Sequence, residues 1–474
     1  MKYQELSLYI NGEFIKTEKN IPVYHKFTGV KIAEISKAEQ SDVSNAVNLA
    51  DKVFRENPLS AYQRYEILLK ASELVKENRE DFEQLLIEEV GKTKKDAIGE
   101  LDRTISTLLI SAEEAKRITG EIVPLDGQEN SDKKIGFTIR VPKGVIGAIT
   151  PFNYPLLLST HKIAPALAAG NTIVVKPATS TPISTFKLVE VLEKAGMPRG
   201  YINIVTGSGS EVGEWLLDEE KIKMYTFTGS AEVGQHIKNK SGMRTVALEL
   251  GNNSPNIIHF DANVKKAAQL TSSRSFHNAG QACISVQRLY VHEKILKEFT
   301  DEYMRHVNEI QVGDPENPTT DVGPMISEKE AIRAEEWVLE AINEGAVSLT
   351  EVKRVKSLFY PVVLTQVKHE MKVVCMEVFA PIVSIIPYSD IDEVLSAANN
   401  TEYGLQAGLF TNDMALAFKA AKTLEFGGVI INDVSTYRSD IMPYGGVKNS
   451  GIGKEGPKYT IEEMTEERMI VINY

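Results

Sequence analysis

The chain reads as an α/β protein with two parallel-sheet halves and a small β ribbon, and three stretches carry that expectation. Apolar strands at 145–150, 172–176, 201–205 and 224–227 are each followed by a helical pattern, the alternation of a parallel sheet covered on both faces. A second alternation starts near Asn256-Ile257-Ile258 and runs through 289–291, 293–307, 331–341 and 383–387. Between 121 and 142 the chain is polar and alternates only in part (Ile135, Phe137, Ile139, Val141). Such a ribbon needs a partner strand to persist.

In chain order, Leu8-Tyr9-Ile10-Asn11-Gly12-Glu13-Phe14 predicts a hairpin, because Asn-Gly supplies the positive φ angles of a type I′ turn. Strand-like sequence continues to about Ile35. Ser41 is then placed to cap a helix carrying Val43, Ala46, Val47, Ala50 and Phe54. Further helices are predicted over 61–76, over 79–90 with Gly91 as its stop, and over 95–118 with Gly120 as its stop. The last residues, 464–474 with Arg468-Met469-Ile470-Val471-Ile472, read as one more strand and a partner for the ribbon. The expected division is 1–120 with 143–250 as a nucleotide-binding domain, 251–435 as a catalytic domain, and 121–142 with 456–474 as the ribbon.

Composition narrows the function. The 474 residues are 42% hydrophobic and 25% charged, ordinary for a globular chain with ample core. A formal charge of -12 opposes a nucleic-acid partner, which needs a surplus of Lys and Arg on one face. The opening Met1-Lys2-Tyr3-Gln4-Glu5-Leu6 lacks a signal pattern and no apolar run is long enough for a membrane span, so a cytosolic protein with no membrane partner is expected. Two cysteines, Cys283 and Cys375, make no disulfide framework, and no metal-ligand spacing or HExxH appears, so no catalytic metal is expected.

The chemistry gathers in one stretch. Leu248-Glu249-Leu250-Gly251 ends an apolar run, and Asn278-Ala279-Gly280-Gln281-Ala282-Cys283 precedes the next one. Between them, Val264, Ala267, Ala268 and Leu270 have helical spacing, so the segment can fold back and bring a carboxylate to a thiol. A lone cysteine is ordinarily a small buried hydrophobe. Here Ala279, Gly280 and Ala282 leave room for a substrate beside the sulfur, on a loop where reactive groups collect.

Glu-Leu-Gly and Gly-Gln-x-Cys at this separation resemble the active-site segments of the aldehyde dehydrogenase superfamily. Thr150-Pro151-Phe152-Asn153-Tyr154-Pro155, Val175-Lys176-Pro177, Phe227-Thr228-Gly229-Ser230, Glu377-Val378-Phe379-Ala380-Pro381 and Pro443-Tyr444-Gly445-Gly446-Val447-Lys448 follow in the family's order. The pattern is similar to the lactaldehyde, succinate-semialdehyde and non-phosphorylating glyceraldehyde-3-phosphate branches. The resemblance implies two Rossmann-like domains, NAD or NADP as cofactor, and a ribbon that assembles the chain into homodimers or homotetramers.

It also implies roles. Cys283 is the nucleophile that forms a thiohemiacetal and then a thioester; Asn153, with the Cys283 backbone N–H, holds the oxyanion; Glu249 is the base for hydrolysis; Glu455 relays the proton outward. Ser230 meets the pyrophosphate at a helix N-terminus, Lys176 the adenosine ribose, and Glu377 and Phe379 the nicotinamide ribose and ring, with Thr150, Pro151, Phe152, Phe227, Thr228, Gly229, Val233 and Leu250 around them. In Gly207-Ser208-Gly209-Ser210-Glu211-Val212-Gly213 the last interval is one residue too long for GxGxxG. Gly209 and Gly213 then either face a phosphate or belong to a plain turn opening a helix. Thr179 stands where NAD-preferring members carry glutamate; without that repulsion NADP is expected to serve at least as readily as NAD, the alternative being a neutral Thr179 with NAD still preferred.

For substrate, Arg103, Tyr154 and Arg438 match positions that hold the anionic group in related branches, so a small hydrophilic or anionic aldehyde is expected. Two departures stand out: Asn252 replaces the second glycine of Glu-Leu-Gly-Gly, and Ala282 replaces the arginine of the phosphate-binding branch. Two alternatives use the same residues differently: a thiol hydrolase pairing Cys283 with His277, and a non-catalytic protein that keeps the fold.

Overall fold

The structure, a computed structural model, describes residues 6–474. Its first sheet has eight strands, in the spatial order Glu13–Ile15, Leu8–Ile10, Ile202–Ile204, Thr172–Lys176, Val145–Ile149, Ile222–Thr228, Thr245–Glu249 and Gly451–Ile452. The five strands from Ile202–Ile204 to Thr245–Glu249 run parallel, and the hairpin and Gly451–Ile452 close the two edges antiparallel. Asn11 (φ 54°) and Gly12 (φ 78°) make the hairpin turn with both residues left-handed, as the Asn-Gly pair predicts.

Strand order reverses beside Val145–Ile149: the chain steps outward to Thr172–Lys176 and Ile202–Ile204, then returns to the other side at Ile222–Thr228. A reversal of this kind opens a crevice beyond the carboxyl ends of the two central strands. Thr150 to Asn153 and Gly229 to Ser230 lie there.

The helices over the sheet follow the predicted pattern, with shifted ends. The first spans Gln40–Glu56 and starts before Ser41; the Asp42 carboxylate accepts from the Glu39 N–H at 2.8 Å, so the cap lies two residues upstream of the serine. The fourth spans Lys94–Ala115 and ends before Gly120. Gly120 is instead spent on a close crossing, where a Cβ would lie 1.8 Å from the Thr138 carbonyl oxygen. Pro155–Ala169 is buried along its entire length, and its first N–H groups, at Leu156 and Leu157, both donate to Glu100 Oε1 at 3.0 Å.

The second sheet has seven strands in the order Val347–Ser348, Val362–Thr365, Ile382–Tyr388, Val286–His292, Ser254–Ile258, Gln406–Phe410 and Gly428–Ile431, parallel except for the first. Four of these, Val347–Ser348, Val362–Thr365, Gln406–Phe410 and Gly428–Ile431, escape the sequence pattern. Gly408 shows why: a Cβ there would lie 2.3 Å from Asn256 Oδ1, so the strand spends on glycine a position that would otherwise read as apolar.

Thr465–Asn473 pairs antiparallel with Lys134–Pro142 along its whole length. The preceding Pro457–Glu463 is a helix rather than ribbon, and Ile461 and Met464 pack into the core around the buried helix Pro155–Ala169. No helix among the described residues is long and apolar enough to cross a membrane.

Candidate active site

The two sheets face each other across a cavity of about 880 Å³. Cys283 lines it, together with Asn153, Glu249, Glu455, Arg103, Tyr154 and Arg438. From the cofactor set, Thr150, Pro151, Phe152, Phe227, Thr228, Gly229, Ser230, Leu250, Glu377 and Phe379 line it as well. Lys176, Thr179, Gly209, Gly213 and Val233 lie outside this wall.

The cysteine loop gets its shape from unusual backbone. Asn278 (φ 52°), Ala279 (φ 53°) and Gly280 (φ 70°) are successive left-handed residues, and a Cβ at Gly280 would meet the Ala380 carbonyl oxygen at 2.1 Å. Side chains hold the turn: the Asp96 carboxylate accepts from the Asn278 N–H at 3.0 Å, and Asn278 and Asn153 both donate to the Gln281 carbonyl, at 3.2 and 2.9 Å. One Asn153 N–H is thereby used. Among the described residues the other, and the Cys283 backbone N–H, have no protein acceptor, which leaves two donors free beside the sulfur.

Cys283 is half-buried in the cavity wall, and its partial removal from water pushes its thiol up to about 11. Its hydrogen-bond partner is Tyr444 Oη at 3.1 Å. Glu249 closes the strand Thr245–Glu249, and its Oε2 is buried without a partner. Burial, and then the neighbouring Glu455, hold the Glu249 carboxyl well above the usual range. Glu455 shifts the opposite way. Burial alone would raise it, but Lys162, His161 and Arg438 draw it well below the usual carboxylate range. A carboxylate held so firmly as an anion suits anchoring cations and resists taking up a proton.

The side chains around Glu455 form one network, buried except at Arg103. Glu455 takes Lys162 at 3.1 Å, His161 at 3.2 Å and Arg438 at 2.9 Å, while Asp440 takes the other nitrogen of His161 at 3.1 Å and Arg103 at 2.7 Å. Arg438 lies 3.6 Å from the Tyr444 ring centroid, and its Nε is buried with no partner. Across the pocket, Lys92 sits 3.5 Å from the Tyr154 ring centroid and 3.3 Å from Glu100, fixing that tyrosine from behind.

His277 does not partner the thiol. Its Nδ1 lies 2.7 Å from Asp96 and its ring stacks on Tyr154 with centroids 6.4 Å apart, an arrangement that opposes the hydrolase reading.

The cofactor side passes a test of fit on its own atoms. Lys176 is buried at the end of Thr172–Lys176 with, among the described residues, only the Pro177 carbonyl at 3.3 Å as partner, so its ammonium keeps donors that fit ribose or phosphate oxygens. Burial lowers it to about 8. Ser230 caps Ala231–Lys240 by accepting from the Val233 N–H, leaving the Ala231 and Glu232 N–H groups of the first turn for an anion. Glu377 accepts from the Asn252 N–H at 3.1 Å, and a Cβ at Gly251 would lie 2.5 Å from its other oxygen; burial raises its carboxyl to about 7. Phe379, left-handed at φ 49°, meets Phe152 edge to face at 5.9 Å. Thr179 donates its hydroxyl to the Gly207 carbonyl at 2.8 Å, and Gly209–Gly213 forms a turn leading into Glu214–Asp218. Asn252 is not left-handed. Its side chain donates to Ser254 Oγ at 2.6 Å and accepts from the Leu405 N–H at 3.2 Å, bracing the join between the two sheets.

Residues 14–470 match the Aldehyde dehydrogenase family. The chain belongs to that family. It is 52% identical over 470 residues, covering 99% of this chain and 98% of the relative, to the 3-sulfolactaldehyde dehydrogenase of Priestia aryabhattai. Among solved structures it is similar to aldehyde dehydrogenase 21 of Physcomitrella patens in complex with the reaction product succinate (TM-score 0.96, 36% identity, 99% of this chain and 98% of that one). It is likewise similar to the glyceraldehyde-3-phosphate dehydrogenase of Methanocaldococcus jannaschii complexed with NADP (TM-score 0.93, 40% identity, 97% and 100%). The chain is thus an NAD(P)-dependent aldehyde dehydrogenase.

Sequence reasoning named the walls of this aldehyde dehydrogenase's pocket but passed over His161, Lys162, Asp440 and Tyr444. For two of them a signal existed. His161-Lys162 interrupts the apolar helix Pro155–Ala169 directly after the Asn153 motif, and a charged pair in a fully buried helix calls for buried partners.

Proposed function

We propose that this enzyme oxidises a three-carbon hydroxyaldehyde carrying an anionic group, with 3-sulfolactaldehyde as the leading candidate, to its carboxylic acid. The observation that carries the reading is the buried Arg438 guanidinium on the pocket wall. Its Nε is unpaired, and it stacks on the tyrosine that touches the Cys283 sulfur. A sulfonate or carboxylate in the cavity would answer the positive charge that this guanidinium sets on its wall. Arg103, with Asp440, supplies a second guanidinium to the same cavity. The likeness to a sulfolactaldehyde dehydrogenase and to a succinate complex supports the same substrate class.

In this reading the Cys283 thiolate adds to the carbonyl carbon, and the oxyanion so formed is met by Asn153 and the Cys283 N–H. The oxidised nicotinamide that Glu377 and Phe379 would hold would supply the hydride acceptor for that carbon. Loss of the hydride turns the thiohemiacetal on Cys283 into a thioester. Glu249 takes a proton from water, the resulting hydroxide attacks the thioester carbon, and the C–S bond breaks to return the thiolate. Glu455 is given the task of holding Lys162 and Arg438 in place.

Thr179, which carries no negative charge, and the spare donors of Lys176 support use of NADP at least as readily as NAD. The exposed apolar residues along the ribbon, Ile135, Ile139, Met469, Val471 and Ile472, support homo-oligomer formation through that surface. The testing experiment follows NAD and NADP reduction with 3-sulfolactaldehyde, lactaldehyde, succinate semialdehyde, glyceraldehyde 3-phosphate and benzaldehyde. The highest kcat/KM is expected for a short anionic aldehyde. Best turnover with benzaldehyde would overturn the reading.

A further inference from the structure

We propose that Tyr444 is a catalytic residue, its phenolic O–H donating to the Cys283 sulfur so that the thiolate is stabilised and aimed before the aldehyde arrives. The inference rests on Cys283 being the nucleophile, but it is tested on the thiol itself and needs no turnover.

The geometry is specific. Tyr444 is buried, its Oη lies 3.1 Å from Sγ, and among the described residues that oxygen has no other partner. Either atom can donate while the sulfur is a thiol; once the sulfur has lost its proton, only the phenol can. Burial, then the neighbouring sulfur, hold the Tyr444 hydroxyl well above the usual phenol range, so it stays a donor throughout the working pH range. Its position is set by backbone: the Tyr444 N–H donates to the Glu455 carbonyl at 3.0 Å and its carbonyl accepts from the Glu455 N–H at 2.6 Å.

Four charged or polar side chains act on the sulfur. Glu377 and Glu249 oppose its ionisation, whereas Tyr444 and Arg438 favour it. Arg438 does so across the Tyr444 ring, 3.6 Å from the centroid, where a buried cation on the π face also makes the phenol a stronger donor. Phenol and guanidinium therefore form one stack that ends on the nucleophile. No proton is transferred from Tyr444: the thiol proton leaves to solvent water, the thiolate accepts the hydrogen bond, and the sulfur electron pair then forms the bond to the carbonyl carbon. The competing explanation is a core aromatic whose hydroxyl happens to find the nearest acceptor.

The test is the pH profile of iodoacetamide alkylation in the full-length enzyme without cofactor, read at Cys283 and Cys375 separately by peptide mass spectrometry. In Tyr444→Phe, which keeps the ring beneath Arg438, the Cys283 midpoint is expected to rise by about one to two pH units, the size of a hydrogen bond to a charged group. The Cys375 profile should not move, which reports an intact fold, and kcat/KM should fall by a similar factor for neutral and anionic aldehydes. An unchanged Cys283 midpoint, or a loss confined to anionic aldehydes, overturns the proposal. Should the variant unfold and both thiols react alike, the native sequence produced with 3-fluorotyrosine decides instead. Its more acidic phenol should lower the Cys283 midpoint, and no shift there overturns the proposal equally.

Discussion

The two sheets present opposite ends to the same cavity. In the first, the pocket lies beyond the carboxyl ends of the strands: Thr150 follows Val145–Ile149, Ser230 follows Ile222–Thr228, and Glu249 closes Thr245–Glu249. In the second, Cys283 precedes Val286–His292, and Glu377 and Phe379 precede Ile382–Tyr388, so that sheet offers its amino ends. The segment after Gly428–Ile431 returns across the sheet, Ser435 bonding Asn256 and Ile284 and Tyr437 bonding Gln406, until it delivers Arg438 to the same edge. A carboxyl-end site is built from strand ends and helix N-termini and gives donors for an anionic cofactor. An amino-end site has no such ready-made dipole and is made from irregular loops, here with Asn278, Ala279 and Phe379 left-handed. On this view the first sheet holds most of the cofactor site and the second brings the nucleophile, with Asn153 and Glu249 as the carboxyl-end groups turned to chemistry.

The sharpest way to break that division is at the sulfur. Cys283→Ala should lower kcat by roughly 10⁴-fold or more while leaving the Kd for NADP, measured by fluorescence titration, unchanged. A comparable loss of cofactor affinity would show that the sulfur itself helps to hold the cofactor. Next in size, Glu249→Gln should give a burst of one equivalent of reduced cofactor per site and then turnover slower by roughly 10²–10⁴-fold, seen in stopped flow. In the native enzyme the same step should slow as pH falls through the raised Glu249 value, because the base is then protonated; a rate that rises toward low pH would remove Glu249 from the role.

Smaller effects belong to the other sheet. Lys176→Gln should weaken NADP by about tenfold with kcat at saturation retained. Because burial holds Lys176 at about 8, it is charged below that pH and neutral above it. NADP affinity of the native protein should therefore decline above pH 8, and a flat titration from pH 7 to 9 would contradict the assignment. The smallest change is expected for Thr179→Glu, which should move the ratio of kcat/KM for NADP over NAD toward NAD by roughly 5- to 10-fold through repulsion of the 2′-phosphate.

Much of the fold was legible in residue patterns. The Asn11-Gly12 hairpin, the helix stopped at Gly91, the first parallel sheet and the terminal strand's pairing with Lys134–Pro142 all follow from rules acting over a few residues. Strands such as Gln406–Phe410 were not, because their composition answers to neighbours from distant segments. Gly408 is small for the sake of Asn256, and Gln406 sits within a strand because the Ser435 and Tyr437 carbonyls need its amide.

At the site, the chain's own order of motifs singled out the residues proposed for chemistry: a thiol, a carboxylate and an amide on loops after or before apolar runs. What those groups are able to do was decided in three dimensions. The same residue type, glutamate, is pushed up at Glu249 and Glu377 and drawn down at Glu455, since ionisation depends on burial and on which cations stand nearby. Those neighbours, the pair His161 and Lys162 and the guanidinium of Arg438, come from segments 277 residues apart in the chain. Local sequence specifies backbone because backbone answers to its immediate neighbours; charge answers to distance through space, and only the folded chain sets that.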